Sequence, residues 1–294
     1  MSHVEQELAG QPECWQRAAE LAADHAAALP RPGERVAVVG CGTSLYMAQA
    51  VAGLRESSGQ GETDAWPASE FPAGRGYDRV VALTRSGTTT EVLRLLERLR
   101  GTVRTCAVTA DPATPVMTLA DDTVVLDFAD ERSVVQTRFA TTALTLLRAH
   151  LGLHSDAVVA DARTALAEPL PEGLERCTQF TFLGRGWTVG LASEAALKMR
   201  EAALAWTEAY PAMEYRHGPI SITAPTTATW MFGEAPPGLA DQVRSAGGTW
   251  VHGRLDPLAE LVRAQRLAVA VAAVRGLDPD APRNLTRSVI LDGS

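Results

Sequence analysis

The sequence predicts an α/β protein built from two doubly wound parallel sheets in tandem, of which the second is compact. Apolar β-type runs alternate with helical stretches, a pattern typical of parallel sheets covered by helices. The length of 294 residues suits two domains of ordinary size. We therefore predict a helical segment over residues 1–33, a first domain over 34–155 and a second over 174–294, with the boundary near 155–175.

The first half contains the fuller set of elements. We predict a helix over 14–29, a strand over 35–39, a helix to about 55 after a Gly-x-Gly turn, and a Gly/Pro-rich connector. A strand over 80–83, a helix over 91–100, strands over 105–109 and 123–126, a helix over 134–151 and a helix with its linker over 156–171 follow.

The second half opens as the first does. A strand from about 179 runs into Gly184-Arg185-Gly186 and an Ala-rich helix, 144 residues after the matching Gly40-Cys41-Gly42 turn (184 minus 40). Strands over 227–232 and 249–252 and a helix over 258–274 would complete a smaller sheet. This echo favours an internal duplication.

Charge and composition exclude several functions. Lys and Arg number 27 against 35 Asp and Glu, and the net charge of −8 disfavours nucleic-acid binding. We expect neither a secretory signal nor a membrane span. The four cysteines lack C-x-x-C spacing, and no carboxylate or thiol with matching spacing accompanies His150 and His154, so we expect no disulfide framework, no metal and no cofactor. These features predict a cytoplasmic protein.

Two hydroxyl-rich turns at successive strand ends form the first candidate site. They are Gly42-Thr43-Ser44 and Thr84-Arg85-Ser86-Gly87-Thr88-Thr89, and each leads into a helix. Helix N-termini with neighbouring hydroxyl groups suit a phosphate, and doubly wound sheets bind ligands at the carboxyl ends of their strands. Either turn alone could simply be a helix cap. Together they predict a monophosphate site.

The second candidate site lies on the helix after Gly186. Glu194, Lys198 and Glu201 stand at i, i+4 and i+7, along one face of that helix, and His217 follows in a turn-like segment. A carboxylate beside a lysine and apolar neighbours can be tuned as a proton-transfer base. A surface ion pair and an ordinary exposed histidine are the alternative interpretations.

Other ligand classes fit the sequence less well. Gly184-Arg185-Gly186-Trp187-Thr188-Val189-Gly190 misses the dinucleotide spacing G-x-G-x-x-G, and Trp187 would crowd a pyrophosphate. The sequence also contains neither G-x-x-x-x-G-K-[ST] nor G-x-S-x-G, so NTP hydrolysis and serine-ester chemistry lack their usual motifs.

Taken together, these segments resemble the isomerase half of glucosamine-6-phosphate synthase and the related tandem SIS-domain phosphosugar isomerase/deaminase family. The resemblance covers nearly the whole chain. Its specific part is Glu-x-x-x-Lys-x-x-Glu at 194–201, then Glu208-Ala-Tyr210, then His217-Gly218-Pro219, in the family's order. The resemblance implies two flavodoxin-like SIS domains.

The resemblance also implies residue roles. Thr43, Ser44, Thr84, Arg85, Ser86 and Thr89 match positions around the sugar phosphate. Glu201 matches the residue that moves a proton between C1 and C2 of the open-chain sugar, with Glu194 and Lys198 lining the same pocket. His217 is similar to the ring-opening histidine, which in this family tends to reach a neighbouring subunit's pocket, so a homodimer is implied.

Two departures limit what can be transferred from the family. We expect no glutaminase domain in this chain, because the first SIS half starts within about 35 residues of Met1. The resemblance implies that the C-terminal tail completes the site, but Arg287 stands there in place of the lysine that forms a Schiff base in the synthases, and a guanidinium is a poor nucleophile. We therefore expect a phosphosugar isomerase or amino-sugar-phosphate deaminase. A non-catalytic sugar-phosphate sensor is the alternative.

Overall fold

The computed structural model describes residues 1–72 and 74–291 and contains two parallel sheets. The strands of the first sheet are β1 (Val36–Gly40), β2 (Thr63–Pro67), β3 (Arg79–Leu83), β4 (Arg104–Thr109) and β5 (Asp122–Val125). Their spatial order is β2-β1-β3-β4-β5, and every neighbouring pair is parallel. This order is that of a flavodoxin-like doubly wound sheet.

The first half of the chain also contains α-helices. They are α1 (His3–Ala9), α2 (Gln11–Leu21), α3 (Thr43–Ser57), α4 (Thr90–Leu99), the short α5 (Val116–Leu119), α6 (Arg138–His150) and α7 (Asp156–Ala167). The strands β1 and β3 are buried at every position, which explains why they read as continuous apolar runs rather than as alternating ones.

The second sheet is smaller and has the same order over its four strands. It contains β6 (Gln179–Gly184), β7 (Trp206–Pro211), β8 (Thr227–Met231) and β9 (Thr249–His252), in the order β7-β6-β8-β9 and all parallel. Its helices are α8 (Thr188–Ala203), α9 (Leu239–Ser245) and α10 (Pro257–Val274). The α/β class with two parallel sheets is as predicted, whereas the tandem domain division stays a prediction.

The two halves meet where α3 packs against α8, and two glycines permit the close approach. A Cβ added to Gly53 would lie 2.8 Å from the Trp187 Cα, and one added to Gly190 would lie 2.7 Å from the Ala50 backbone nitrogen. Only a residue without a side chain fits at such a crossing. This contact brings the start of α3 beside the middle of α8.

Two predicted helices have different bounds in the structure. The helix predicted over 14–29 ends at Leu21, and the following residues form successive single turns before Pro30. The helix predicted from 134 begins at Arg138, because the Glu131 carboxylate accepts hydrogen bonds from the backbone N–H groups at the helix start and holds residues 131–137 outside it.

Two strands were missed by the sequence analysis. β2 lies within the predicted Gly/Pro-rich connector, and β7 follows α8 directly. Both are edge strands with half-buried residues and a terminal proline, so neither shows the apolar run that marks the central strands. Within the described ranges, no helix is long and apolar enough to cross a membrane.

Candidate active site

A cavity of about 220 Å³ opens at the carboxyl ends of β1 and β3. Its walls come from four parts of the chain: residues 41–44 after β1, residues 83–89 after β3, Val134 and Gln136 before α6, and residues 285–289 of the C-terminal tail. Glu201 of α8 completes the wall. Doubly wound sheets place their ligand sites at this edge.

The turn after β1 leads into the N-terminus of α3 at the cavity. Gly42 precedes α3 with a φ of +55°, a conformation that L residues rarely adopt, and Thr43 begins the helix. Thr43 and Ser44 are both buried at the cavity wall. The N–H groups of Ser44, Leu45 and Tyr46 donate to the carbonyls of Cys41 and Gly42, so the N-terminus of α3 offers this position mainly the partial positive charge of its helix dipole and the two hydroxyls.

The turn after β3 carries the second group of hydroxyls. Thr84 is 3% exposed, and its hydroxyl has no hydrogen-bond partner among the described residues. Gly87 has a φ of +62°, and a side chain there would overlap Thr114. This turn therefore depends on glycine to place Ser86 and Thr89 at the cavity beside the start of α4.

The three predicted α8 residues do share one face, and they meet the first half of the chain there. The Lys198 Nζ donates to the Thr43 Oγ1 at 2.9 Å and to the Glu201 carboxylate, and it lies 3.6 Å from the Glu194 Oε1. Lys198 and Glu194 are buried, whereas the Glu201 side chain is 17% exposed and lines the cavity. Glu201 is thus the member of the group that faces the cavity.

Burial changes the ionisation of the two residues behind Glu201. It raises the pKa of Glu194 to about 8, although the Lys198 charge opposes this. Burial by itself lowers the pKa of Lys198, but the Glu194 and Glu201 carboxylates outweigh it, and the pKa of Lys198 is raised. Burial therefore favours the protonated form of Glu194 near neutral pH, and the neighbouring carboxylates favour the charged form of Lys198.

Arg85 lies at the cavity wall, but its guanidinium is engaged elsewhere. It donates to the backbone carbonyls of Ser133 at 3.0 Å and of Arg287 at 3.1 Å, and it lies 3.6 Å from the Glu131 carboxylate. These contacts tie the tail to the segment before α6. The phosphate-binding role of Arg85 stays a prediction. In the structure, its guanidinium joins the C-terminal tail to the segment before α6.

The segment before α6 supplies wall residues to which the sequence analysis gave no role. Glu131 is fully buried and accepts hydrogen bonds from the backbone N–H groups of Thr137, Arg138 and Phe139, which caps α6. This cap holds Val134 and Gln136 against the cavity, and the Gln136 Nε2 has no hydrogen-bond partner within the described ranges. The sequence feature that could have predicted this cap is a glutamate a few residues before a predicted helix.

The C-terminal tail forms the fourth wall. The Arg287 guanidinium donates to the Asp130 Oδ1 at 2.5 Å and to the Glu131 carbonyl. The Ser288 hydroxyl lies within hydrogen-bond distance of the Ser86, Thr88 and Thr89 hydroxyls. The tail thus contacts the predicted phosphate turn directly.

His217 is not among the residues that line this cavity. It is exposed, it follows a short 3-10 turn over Glu214–Arg216, and it does not belong to the cavity wall. Within one chain, Glu201 therefore lines the cavity without His217.

Comparison with known structures identifies the fold as that of phosphosugar isomerases and deaminases. Glucosamine-6-phosphate deaminase from Thermotoga maritima superimposes with a TM-score of 0.83 at 24% identity, covering 99% of this chain and 100% of that one. Tagatose-6-phosphate ketose/aldose isomerase from Escherichia coli gives 0.82 at 19% identity, covering 99% and 96%. At these identities, the likeness establishes the fold.

Curated sequences point to the same fold. The chain is 27% identical over 320 residues to a glutamine–fructose-6-phosphate aminotransferase (isomerizing) of Thermus thermophilus, covering 90% of this chain and 53% of the relative. The C-terminal domain of glucosamine-fructose-6-phosphate aminotransferase from Francisella tularensis has a TM-score of 0.78 at 20% identity, covering 96% and 98%. The chain spans about half the length of the curated relatives it matches. No family model matches it.

Proposed function

We propose that this protein is a phosphosugar isomerase or amino-sugar-phosphate deaminase that moves a proton between C1 and C2 of an open-chain hexose 6-phosphate. The observation that carries the proposal is the position of Glu201. Its carboxylate lines a polar cavity whose other walls include two hydroxyl-rich turns at helix N-termini. Relatives named as sugar-phosphate enzymes share the fold.

The phosphate would be held mainly by hydroxyls and helix dipoles. The α3 and α4 N-termini supply the helix dipoles, and Ser44, Ser86 and Thr89 supply hydroxyls at the wall. Thr84 adds a buried hydroxyl that no described residue satisfies. Such a site matches a tetrahedral dianion better than it matches a neutral sugar hydroxyl.

Glu201 would act as the base and then as the acid on the sugar carbons. Lys198 contacts both Glu201 and Thr43, so it fixes the carboxylate relative to the first turn. The protonated state favoured for Glu194 leaves Glu201 as the carboxylate that balances the Lys198 charge. A positioned carboxylate of this kind contributes about 10²–10⁴-fold to a proton transfer.

Arg287 favours isomerisation or deamination over imine-forming synthesis. A guanidinium stays protonated and is a poor nucleophile. That of Arg287 is also held by Asp130 and the Glu131 carbonyl, so its role at the wall is to fasten the tail.

A second copy of the chain would complete the site with His217. This residue is exposed and lies outside the wall of its own cavity, and the surface of the second half carries exposed apolar side chains near it in sequence. Trp206 is 73% exposed, and Leu204, Met213 and Ile222 are also exposed. Apolar surface of this kind is typical of a subunit interface.

We place the protein in a reducing compartment such as the cytoplasm. Its free cysteines support this location, because disulfides are rare in reducing compartments. These cysteines are Cys14, Cys41, Cys106 and Cys177.

The proposal is tested by supplying hexose and amino-hexose 6-phosphates and following ketose formation, ammonia release and exchange of the C1 and C2 hydrogens with deuterated solvent. We expect one member of this panel to react, and Glu201→Gln to lower turnover about 10²–10⁴-fold with little change in affinity. Gln keeps the shape of the side chain and removes the base.

Two outcomes would contradict the proposal. If Glu201→Gln exchanges the hydrogens of the true substrate as fast as the parent protein, Glu201 is not the base. If the parent protein binds one sugar phosphate tightly but exchanges the C1 and C2 hydrogens of no sugar phosphate in the panel, the protein is a sensor rather than an enzyme.

A further inference from the structure

The Ser288 hydroxyl of the tail occupies the centre of the predicted phosphate turn. Its Oγ lies 3.1 Å from the Ser86 Oγ, 3.0 Å from the Thr88 Oγ1 and 3.3 Å from the Thr89 Oγ1. Three hydroxyls from one turn thus converge on a single oxygen, as they would on one oxygen of an anion.

The backbone next to Ser288 also hydrogen-bonds to the N-terminus of α4. The Thr90 N–H, at the first position of α4, donates to the Val289 carbonyl at 3.1 Å, and the Leu291 N–H donates back to the Thr90 Oγ1 at 2.9 Å. The first N–H groups of a helix have no partner within the helix, and here the tail satisfies one of them.

An independent feature of the cavity points to a ligand that is not the tail. The Thr84 hydroxyl is buried at the same wall and has no partner in the part of the chain that the structure describes. A buried hydroxyl without a partner is costly, which indicates that the tail satisfies only part of this site.

We propose that residues 286–291 are a built-in competitor of the phosphate group: in the ligand-free protein Ser288 stands where a phosphate oxygen binds, and the sugar phosphate must displace it. This inference rests on the proposed function. A dianion forms charge-assisted hydrogen bonds about twice as strong as those of a neutral hydroxyl, so the exchange favours the ligand.

Residues 286–291 are held at Arg287 by contacts that do not involve the phosphate turn, so Ser288 can rebind there after it has been displaced. Arg85 donates to the Arg287 carbonyl and Arg287 to Asp130, and neither contact involves the three hydroxyls around Ser288. Displacement of Ser288 and Val289 can therefore leave the tail attached at Arg287, close enough to compete again.

Titration calorimetry with inorganic phosphate tests the competition in the full-length chain. We expect Ser288→Ala to bind phosphate about three- to tenfold more tightly than the parent protein, because the competing hydroxyl is gone. The matched control is Ser58→Ala, whose hydroxyl donates to the Arg55 carbonyl at the end of α3, and it should bind as the parent does. Weaker or unchanged binding by Ser288→Ala would overturn the inference.

Hydrogen exchange gives a second, independent measurement. Phosphate should speed exchange of the Leu291 amide, which the contact with Thr90 protects in the ligand-free protein. If phosphate slows this exchange or leaves it unchanged, the tail closes over the ligand or ignores it, and it is not a competitor.

Ser86→Ala separates this inference from the proposed function. Loss of phosphate binding in Ser86→Ala, together with unchanged binding in Ser288→Ala, leaves the proposed phosphate site intact and rejects the competitor alone. Absence of phosphate binding in the parent protein and in Ser288→Ala rejects both.

Discussion

Glu194, Lys198 and Glu201 of α8 lie close together, but they differ in how deeply they are buried and in the partners they contact. Neither carboxylate oxygen of Glu194 has a hydrogen-bond partner among the residues that the structure describes, whereas Glu201 contacts Lys198 and reaches the cavity. Burial without hydrogen-bond donors favours the protonated form of this carboxyl group, even though the Lys198 Nζ lies 3.6 Å from its Oε1. Two glutamates on the same helix face, at different depths, are therefore suited to two different states.

Glu194 should make stability depend on pH. Its pKa is about 8 in the folded chain against an ordinary value of 4.5, so between these limits the folded protein keeps a proton that the unfolded chain has released. Raising the pH through this window therefore lowers the free energy of unfolding, and the loss is complete above about pH 8.

Glu194→Gln should remove that dependence, because an amide cannot ionise. We expect the variant and the parent protein to have similar thermal midpoints near pH 5 and the variant to be the more stable near pH 9, measured by thermal unfolding across this range. A difference between the two proteins that stays constant with pH would show that Glu194 is ionised throughout.

At the scale of elements, the close contact of α3 and α8 determines how the residues of the candidate site are placed relative to one another. The contact relies on Gly53 and Gly190, and it sets the 2.9 Å distance between the Lys198 Nζ and the Thr43 Oγ1. Thr43 and Ser44 lie on α3, after the first strand of the first sheet, and Glu194, Lys198 and Glu201 lie on α8, after the first strand of the second sheet, so their relative geometry depends on how these two helices pack.

Gly53→Val should therefore damage both stability and activity. The added side chain meets the Trp187 backbone, which cannot move without shifting α8, and overpacking of this kind costs about 1–3 kcal/mol. Urea unfolding measures the loss. The control is Gln49→Val, which places the same side chain on the exposed face of the same helix and should change the free energy of unfolding by about 0.5 kcal/mol or less. Equal losses in the two variants would remove the steric explanation.

At the scale of the whole molecule, the proposed site needs two copies of the chain. His217 is exposed and outside the cavity wall of its own chain, and the nearest residues in sequence include exposed apolar ones. A closed two-fold dimer would give each cavity the partner's histidine.

Mixing two inactive variants tests this arrangement. Glu201→Gln and His217→Asn should each be inactive alone. Co-refolded in equal amounts, they should recover about a quarter of the parent activity, because half of the dimers are mixed and each mixed dimer has one intact site. No recovery, in mixtures that sedimentation shows to be dimeric, would place His217 in its own chain's site, and full activity of His217→Asn alone would place His217 outside the reaction.

The central elements could be predicted from sequence because their signals are local. β1 and most of β3 are continuous apolar runs, β4 and β6 are buried after their first residue and rich in apolar residues, and α4 and α8 have helical spacing of apolar residues. The edge strands β2 and β7 could not be found this way, since half-buried residues and a terminal proline resemble a loop.

The sequence by itself determined the α/β class, the strand ends that carry hydroxyls and the spacing that puts Glu194, Lys198 and Glu201 on one helix face. Tertiary structure decided which of these residues meet. It placed Glu201 at the cavity with Lys198 and Glu194 behind it, turned the Arg85 guanidinium to the tail, and set Ser288 against Ser86 across 202 residues of chain. Contacts at such separations arise from helix packing and loop closure, and no periodicity within a short window encodes them.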